Sequence, residues 1–415
     1  MSPEKGQVAS TQDWGIDSIA VDSSGRMLAF TVWLSLRGSL LANSQSVHQY
    51  KNISWYAVWD TTLRRQILQG PRLAQLAQRT VDRAVGWSNK RLVIIRHRLL
   101  EPGARYPEKG IAELSEVTTE RVEVILVALD GQEDRVKSFI CPQIFGQPMP
   151  SRADTGFLER FDLCREADHL LFAESRLAFR KVQLSLEGGR SRQTLAMDSA
   201  RSKTLVHCAR LSDGRSWVIA ELPGLRCEQI LDDCRRDDLW IVSRKMEIDN
   251  LYDFQLLHRR PSGVLHRVWQ CDTGDEVREV KISPDGQIAA IRRFVGDNTE
   301  IRVIDLSRQG RTLWQFSVSD NLWRLLWSGD SRSILVWPKL GIKSTKGYRL
   351  HLADIRRKQV KPVGPGWRVP VRVAFHPDGR TLYVAADGRL WRLDIATGSI
   401  DVMWRFPVAW SQIRE

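Results

Sequence analysis

A short phrase recurs along the chain in variants: an apolar run, a tight polar turn, a second apolar run and, later, an aspartate closing a third. The clearest copies are Val280-Lys281-Ile282-Ser283-Pro284-Asp285-Gly286-Gln287-Ile288-Ala289-Ala290 and Val373-Ala374-Phe375-His376-Pro377-Asp378-Gly379-Arg380-Thr381-Leu382-Tyr383. Looser copies are Trp327-Ser328-Gly329-Asp330-Ser331-Arg332, Val21-Asp22-Ser23-Ser24-Gly25-Arg26 and Gly86-Trp87-Ser88-Asn89-Lys90-Arg91. A unit repeated at this spacing cannot bury its apolar side chains alone, so the chain must form an array of small stacked sheets.

The copy at Val280 shows the whole unit. Val280 to Ile282 reads as strand a and Ser283-Pro284-Asp285-Gly286 as a turn, since Pro presets φ and Gly accepts a positive φ. Ile288 to Arg292 is strand b, Glu300 to Ile304 strand c ending at Asp305, and Thr312 to Phe316 strand d. Four short strands per unit make one propeller blade. The strand-c ending recurs as Val58-Trp59-Asp60, Ala128-Leu129-Asp130, Leu352-Ala353-Asp354 and Arg392-Leu393-Asp394. These aspartates are expected to shape turns rather than to catalyse. Blades begin near Ile16, Val81, Phe161, Glu228, Val277, Leu322 and Val371. The expectation is therefore an all-β chain, a β-propeller of seven four-stranded blades over residues 14–406, with a poorly ordered leader at 1–13 and a tail at 407–415. Residues 158–226 supply strands without a clear turn phrase and leave room for an irregular blade or an eighth small one. The first and last blades each contain four strands, so the ring is expected to close by packing.

At 415 residues the length alone would allow two or three domains, but the repeat outweighs that prior. Apolar content of 42% and charged content of 27% suit a globular chain. No apolar run approaches the ~20 residues of a membrane span. The start, Met1-Ser2-Pro3-Glu4-Lys5-Gly6, lacks the apolar core of a secretory signal, which points to the cytoplasm. Cys141, Cys164, Cys208, Cys227, Cys234 and Cys271 include no Cys-x-x-Cys pair, and their spacing favours buried free thiols over a metal site. Net charge is +13, yet Lys and Arg are dispersed apart from short clusters at Arg259-Arg260 and Arg356-Arg357-Lys358. Dispersion favours a solvated basic surface over nucleic-acid binding.

The Ser-Pro-Asp-Gly turn, the apolar pair after it and the later aspartate resemble the WD40-like repeats of TolB-type propellers. They are also similar to the amino-terminal propeller of prolyl-oligopeptidase-like serine peptidases, lasso-peptide isopeptidases among them. Ile19-Ala20-Val21, Ala29-Phe30 and Ser54-Trp55-Tyr56-Ala57-Val58 carry the peptidase likeness. That resemblance implies a hydrolase domain with a Gly-x-Ser-x-Gly elbow. Gly86-Trp87-Ser88-Asn89-Lys90 and Gly189-Arg190-Ser191-Arg192-Gln193 both lack its second glycine, so no catalytic residue carries over.

Other chemistry is not legible. Lys339-Leu340-Gly341-Ile342-Lys343-Ser344-Thr345-Lys346-Gly347 has phosphate-loop residues in the wrong order. Asp232-Asp233 and Asp237-Asp238 do not have calcium-loop spacing and are flanked by Arg235-Arg236. The eight histidines show no ligand spacing, and no cofactor is implied. Of the 16 tryptophans, Trp87, Trp240, Trp323, Trp327, Trp337 and Trp391 are expected between blades, while Trp367 and Trp410 are candidates for exposed contact.

In a propeller the b-to-c and d-to-a connections share one face. Long b-to-c loops are expected at Ser35 to Asn52, Arg98 to Thr119 and Pro338 to Gly347, and long loops on one face of a rigid ring are where recognition is built. Within them His48, Tyr50, Arg98, Arg105, Tyr106, Lys109, Lys343 and Lys346 combine aromatic and cationic character. The sequence thus points to a non-catalytic propeller binding a protein or peptide of acidic character. The alternative is the substrate-gating propeller half of a prolyl-oligopeptidase-like peptidase.

Overall fold

In the computed structural model, residues 11–42, 45–70, 73–76, 81–99, 118–143, 155–163, 168–185, 191–233, 238–246, 253–259, 263–272, 276–295, 298–319, 323–338, 348–367, 372–386 and 389–405 are described. They form seven four-stranded antiparallel blades in sequence order. Blade 1 is β1 (Thr11–Val21), β2 (Met27–Ala42), β3 (Gln45–Asp60) and β4 (Arg65–Gln69), with β5 (Leu73–Leu76) added to β3. Blade 2 is β6 (Val81–Ser88), β7 (Arg91–Leu99), β8 (Thr118–Val127) and β9 (Glu133–Gln143). Blade 3 is β10 (Thr155–Leu163), β11 (His169–Leu177), β14 (Lys203–Arg210) and β15 (Ser216–Pro223), interrupted by a hairpin of β12 (Phe179–Ser185) and β13 (Ser191–Met197). Blade 4 is β16 (Leu225–Asp233), β17 (Asp238–Lys245), β18 (Phe254–Arg259) and β19 (Leu265–Gln270). Blade 5 is β20 (Glu276–Ile282), β21 (Ile288–Val295), β22 (Asn298–Asp305) and β23 (Arg311–Ser319). Blade 6 is β24 (Trp323–Trp327), β25 (Ser333–Pro338), β26 (Tyr348–Asp354) and β27 (Gln359–Trp367). Blade 7 is β28 (Arg372–Phe375), β29 (Thr381–Ala386), β30 (Arg389–Asp394) and β31 (Ile400–Arg405).

Blade 3 is therefore the irregular one, and its additional hairpin pairs only with itself, so the ring has no eighth blade. Strand β1 starts at Thr11, inside the segment expected to be a leader.

The a-to-b turns fold as the sequence dictates because their polar side chains replace missing ladder bonds. In blade 5 the Ser283 hydroxyl donates to Asp285 (2.6 Å) and accepts from the amide of Ile288 (3.1 Å), while Gly286 holds φ +71°. Blade 6 repeats this with Ser328, Asp330 and Ser333, but Ser331 occupies the glycine position at φ +59°. Blade 1 exchanges the two polar roles: Asp22 accepts from the amide of Met27 (2.8 Å), and Ser24 donates to Asp22 (2.5 Å). In blade 7 His376 takes the serine position, and its Nδ1 accepts from the amide of Asp378 (3.1 Å).

The strand-c aspartates cap the c-to-d turns. Asp60 accepts from the amides of Thr62 and Leu63 (both 2.9 Å), and Asp394 from those of Ala396 (2.9 Å) and Thr397 (2.8 Å). Asp130, Asp305 and Asp354 bond the amides of Gln132, Ser307 and Arg357. Burial alone would raise the Asp60 carboxyl, but these amides and the Arg26 guanidinium outweigh it and hold it below the usual range.

Among the described residues the core is divided into seven apolar clusters, each packed at a seam between neighbouring blades. Tryptophans also staple seams through hydrogen bonds. Trp87 Nε1 donates to the Ala20 carbonyl (3.3 Å) and Trp327 Nε1 to the Lys281 carbonyl (2.9 Å). Each acceptor lies two residues before the turn cap of the preceding blade. Trp367, expected to be exposed, is instead among the largest fully buried side chains at 1% exposure, T-stacked on Trp391 at 5.2 Å. It ends β27 and packs into the seam between blades 6 and 7 rather than lying in a loop. Trp410 lies outside the described residues. Cys208, Cys227 and Cys271 are buried in the seams.

The ring closes without a donated strand. Phe30 packs on Trp404 (ring centroids 5.1 Å apart), Arg64 pairs with Asp401 (2.9 Å), and Tyr383 donates to the Gly25 carbonyl (3.4 Å) across the seam between blades 7 and 1.

Candidate functional site

The two faces of the ring differ in how much chain they carry. Among the described residues, the connections on the a-to-b and c-to-d face are tight turns. On the opposite face blade 1 extends its b and c strands. Strands β2 and β3 have 16 residues each, against 8 in β21 and β22, and they stay paired from Met27↔Asp60 to Ala42↔Gln45. Eight further residues at the β rise project the ribbon roughly 25 Å beyond an ordinary blade. Strand β5 pairs with Lys51 to Ser54 of this ribbon. Blade 3 inserts β12–β13 at the same b-to-c position, clamped at its base where the Asp198 amide donates to the Ala178 carbonyl (2.8 Å) and the Ala178 amide to Ser202 Oγ (2.9 Å). Blade 2 carries residues 100–117 there, outside the described residues.

Residues 35–42 and 45–52 are thus paired strands and not the long b-to-c loop expected at Ser35 to Asn52. His48 and Tyr50 stand in β3, opposite Ser39 and Arg37. Arg98 stands in β7, opposite Arg121. Arg105, Tyr106, Lys109, Lys343 and Lys346 lie outside the described residues.

A second feature of this face is absent from the sequence expectation. In blades 1 to 5 the pairing of strands a and b slips within strand a, near its start in blades 4 and 5. The slips fall between Ile16 and Ser18, Ala84 and Gly86, Glu159 and Asp162, Cys227 and Gln229, and Val277 and Glu279. Among the described residues, blades 6 and 7 pair strands a and b without a slip. A bulge adds a residue to one strand and re-aims a side chain. In blade 4 the bulged residue is Glu228, ion-paired with Arg244 (2.6 Å) and, more distantly, Arg226 (4.0 Å). In blade 5 it is Arg278, whose guanidinium lies 4.8 Å over the Phe294 ring and pairs with Glu276 (3.2 Å). Arg292, at 7% exposure, and Arg324 lie beside it, so the rim of this face is arginine-rich at blades 4 to 6. The signal that could have revealed this was the doublet Arg292-Arg293, which must put one guanidinium on each side of a buried strand. Arg293 is matched by Glu300 across the ladder.

The blades themselves also carry ionic contacts. Arg96 makes a two-pronged contact with Glu133 (2.8 and 3.0 Å), and Glu133 accepts from the Tyr56 hydroxyl (2.9 Å) of blade 1. Glu174 accepts from His207 (3.0 Å) and Arg176 (2.9 Å); the His207 bond is the largest cause that lowers its carboxyl to about 2, against the opposing effect of burial. A carboxylate so stabilised is a poor proton carrier near neutrality. Among the described residues no three His, Cys, Asp or Glu side chains gather as a metal set, and no helix is long and apolar enough to cross a membrane.

No protein-family profile and no curated protein matches the chain. Solved structures do. An oligogalacturonate lyase from Vibrio parahaemolyticus superposes with a TM-score of 0.52 at 10% identity, over 92% of this chain and 94% of that one. TolB from Acinetobacter baumannii gives 0.43 at 14% identity, over 95% and 96%. A prolyl endopeptidase gives 0.44 at 11% identity, over 92% of this chain but 54% of that one. At such identities the likeness is one of fold alone.

Proposed function

We propose that the chain is a non-catalytic propeller that binds a protein or peptide of acidic character on its b-to-c face. The observation that supports this is the concentration of inserted chain in blades 1 to 3 of one face. The ring needs none of it: β12–β13 joins no blade sheet, and the outer half of β2–β3 lies beyond the strand length other blades use. Chain that contributes little to the core is where recognition is built on a rigid scaffold. The arginines of the rim give it the charge that would steer an acidic partner. No separate observation favours the peptidase-gating alternative.

A peptide array of matched acidic and neutral sequences tests the proposal. It is probed with the intact chain and with a variant in which residues 179–197 are replaced by a short Gly-Ser link. Acidic peptides should be enriched by the intact chain and their capture reduced by the variant. Equal capture by both, or no acidic preference, would overturn it.

A further inference from the structure

We infer that the seam between blades 5 and 6 holds a carboxylate-binding site built on Arg292. Arg292 lies in β21, two residues after Ala290, which packs in the core of that seam, so it shares the same face of the strand. It is 7% exposed, and a guanidinium taken so far from water is costly unless its donors are met. They are only partly met: among the described residues Nη1 of Arg292 has no hydrogen-bond partner, and Nε meets only Oε2 of Glu279, at a long 3.4 Å.

The surroundings favour an anion. The Phe294 ring carries two guanidiniums, Arg278 at 4.8 Å and Arg292 at 5.8 Å, which fixes both against one aromatic platform. Arg324, at the start of blade 6, is close enough for its charge to bear on Arg292. Burial first, and then the charges of Arg278 and Arg324, hold the Arg292 guanidinium below the usual arginine value, with Glu279 opposing them. Among the described residues Glu276 and Glu279 are the carboxylates paired with Arg278 and Arg292, and Arg324 adds a third guanidinium, which leaves one positive charge for a ligand. A monoanion neutralises the cluster, whereas a dianion would leave a negative charge in a partly desolvated seam. A carboxylate also matches the planar fork of a guanidinium, accepting from Nη1 of Arg292 and from Arg324. The ligand class is thus a carboxylate group, such as an acidic side chain or a chain terminus. This goes beyond the partner proposal and does not depend on it, since the array variant alters blade 3 and leaves this seam intact.

Thermal melting of the full chain at constant ionic strength tests it, with acetate as one probe and inorganic phosphate, a dianion at about pH 8, as the other. Acetate should raise the melting temperature saturably and more effectively than phosphate. Arg324→Gln should weaken the apparent acetate affinity about tenfold, the loss of one charged hydrogen bond, and Arg292→Gln should abolish the effect. If Arg292→Gln does not fold, Arg324→Gln decides alone, because Arg324 is only half-buried and is the second residue of its strand. No saturable acetate effect, an effect unchanged in Arg324→Gln, or tighter binding of phosphate would overturn the assignment.

Discussion

Ser331 stands where three other turns carry glycine, at φ +59°, a region that costs a side-chain-bearing residue about 1–2 kcal/mol. It is retained because its hydroxyl accepts from the Asp285 amide of the neighbouring blade (3.1 Å), a bond worth about 1 kcal/mol. Ser331→Gly removes strain and bond together and should be within about 1 kcal/mol of neutral, while Ser331→Ala keeps the strain, loses the bond and should cost about 1–2 kcal/mol. Denaturant unfolding of both variants checks this, and a glycine variant less stable than the alanine one would contradict it. A second expectation concerns pH. Glu174 is lowered from 4.5 to about 2 in the fold, so its contribution to stability is complete above 4.5 and lost as pH falls toward 2. The melting difference between the native chain and Glu174→Gln should therefore be constant near neutrality and shrink between those values. A difference that persists unchanged at pH 2 would mean that the His207 and Arg176 contacts are not what stabilises the carboxylate.

Among the elements, the β12–β13 hairpin is an appendage whose base is already joined by the bonds between Ala178, Asp198 and Ser202. Closing that base with a short link adds little entropy cost, so replacing residues 179–197 should lower the melting temperature by no more than about 4 °C, as for a loss near 1 kcal/mol. A collapsed transition would show that the hairpin belongs to the ring. The boundaries of blades 1, 5, 6 and 7 were legible in the sequence because their a-to-b turns are local devices, as where Ser283 and Asp285 bond each other and the next amides within a few residues, whereas residues 158–226 carry no such phrase. The pairing of residues 35–42 with 45–52 was not legible, since Ser, Asn and Gly in Ser35 to Asn52 read as loop while pairing with a partner strand overrode their weak propensity. The strand-a bulges were invisible for a related reason. A two-against-one pairing is a property of two strands together, and Arg278 looks in sequence like any alternating residue. The arginine rim of the candidate site depends on those bulges, whereas most residues chosen for their type fall outside the described residues.

On the scale of the whole molecule, stability depends on seven seams in series, and the one between blades 7 and 1 has no covalent continuity. Gly25 sits in it at φ +75°, and a Cβ added there would meet His376 Nε2 at 1.7 Å. Gly398 has a similar φ of +73° with nothing within 4 Å, and so isolates backbone strain from the clash. Gly398→Ala should cost about 1–2 kcal/mol and Gly25→Ala about 3 kcal/mol or more, read from unfolding curves. Equal losses would mean that closure does not rest on that contact. The claim that unites the scales is that the ring exists to hold one elaborated face toward an acidic partner. Hydrogen exchange on the full chain, free and saturated with an acidic peptide selected from the array, tests it most directly. The account predicts slowed exchange in β2–β3, β12–β13 and the starts of β16, β20 and β24, with the a-to-b turns at Ser283, Ser328 and His376 unchanged. Protection confined to those turns, or to the outer strands, would contradict it.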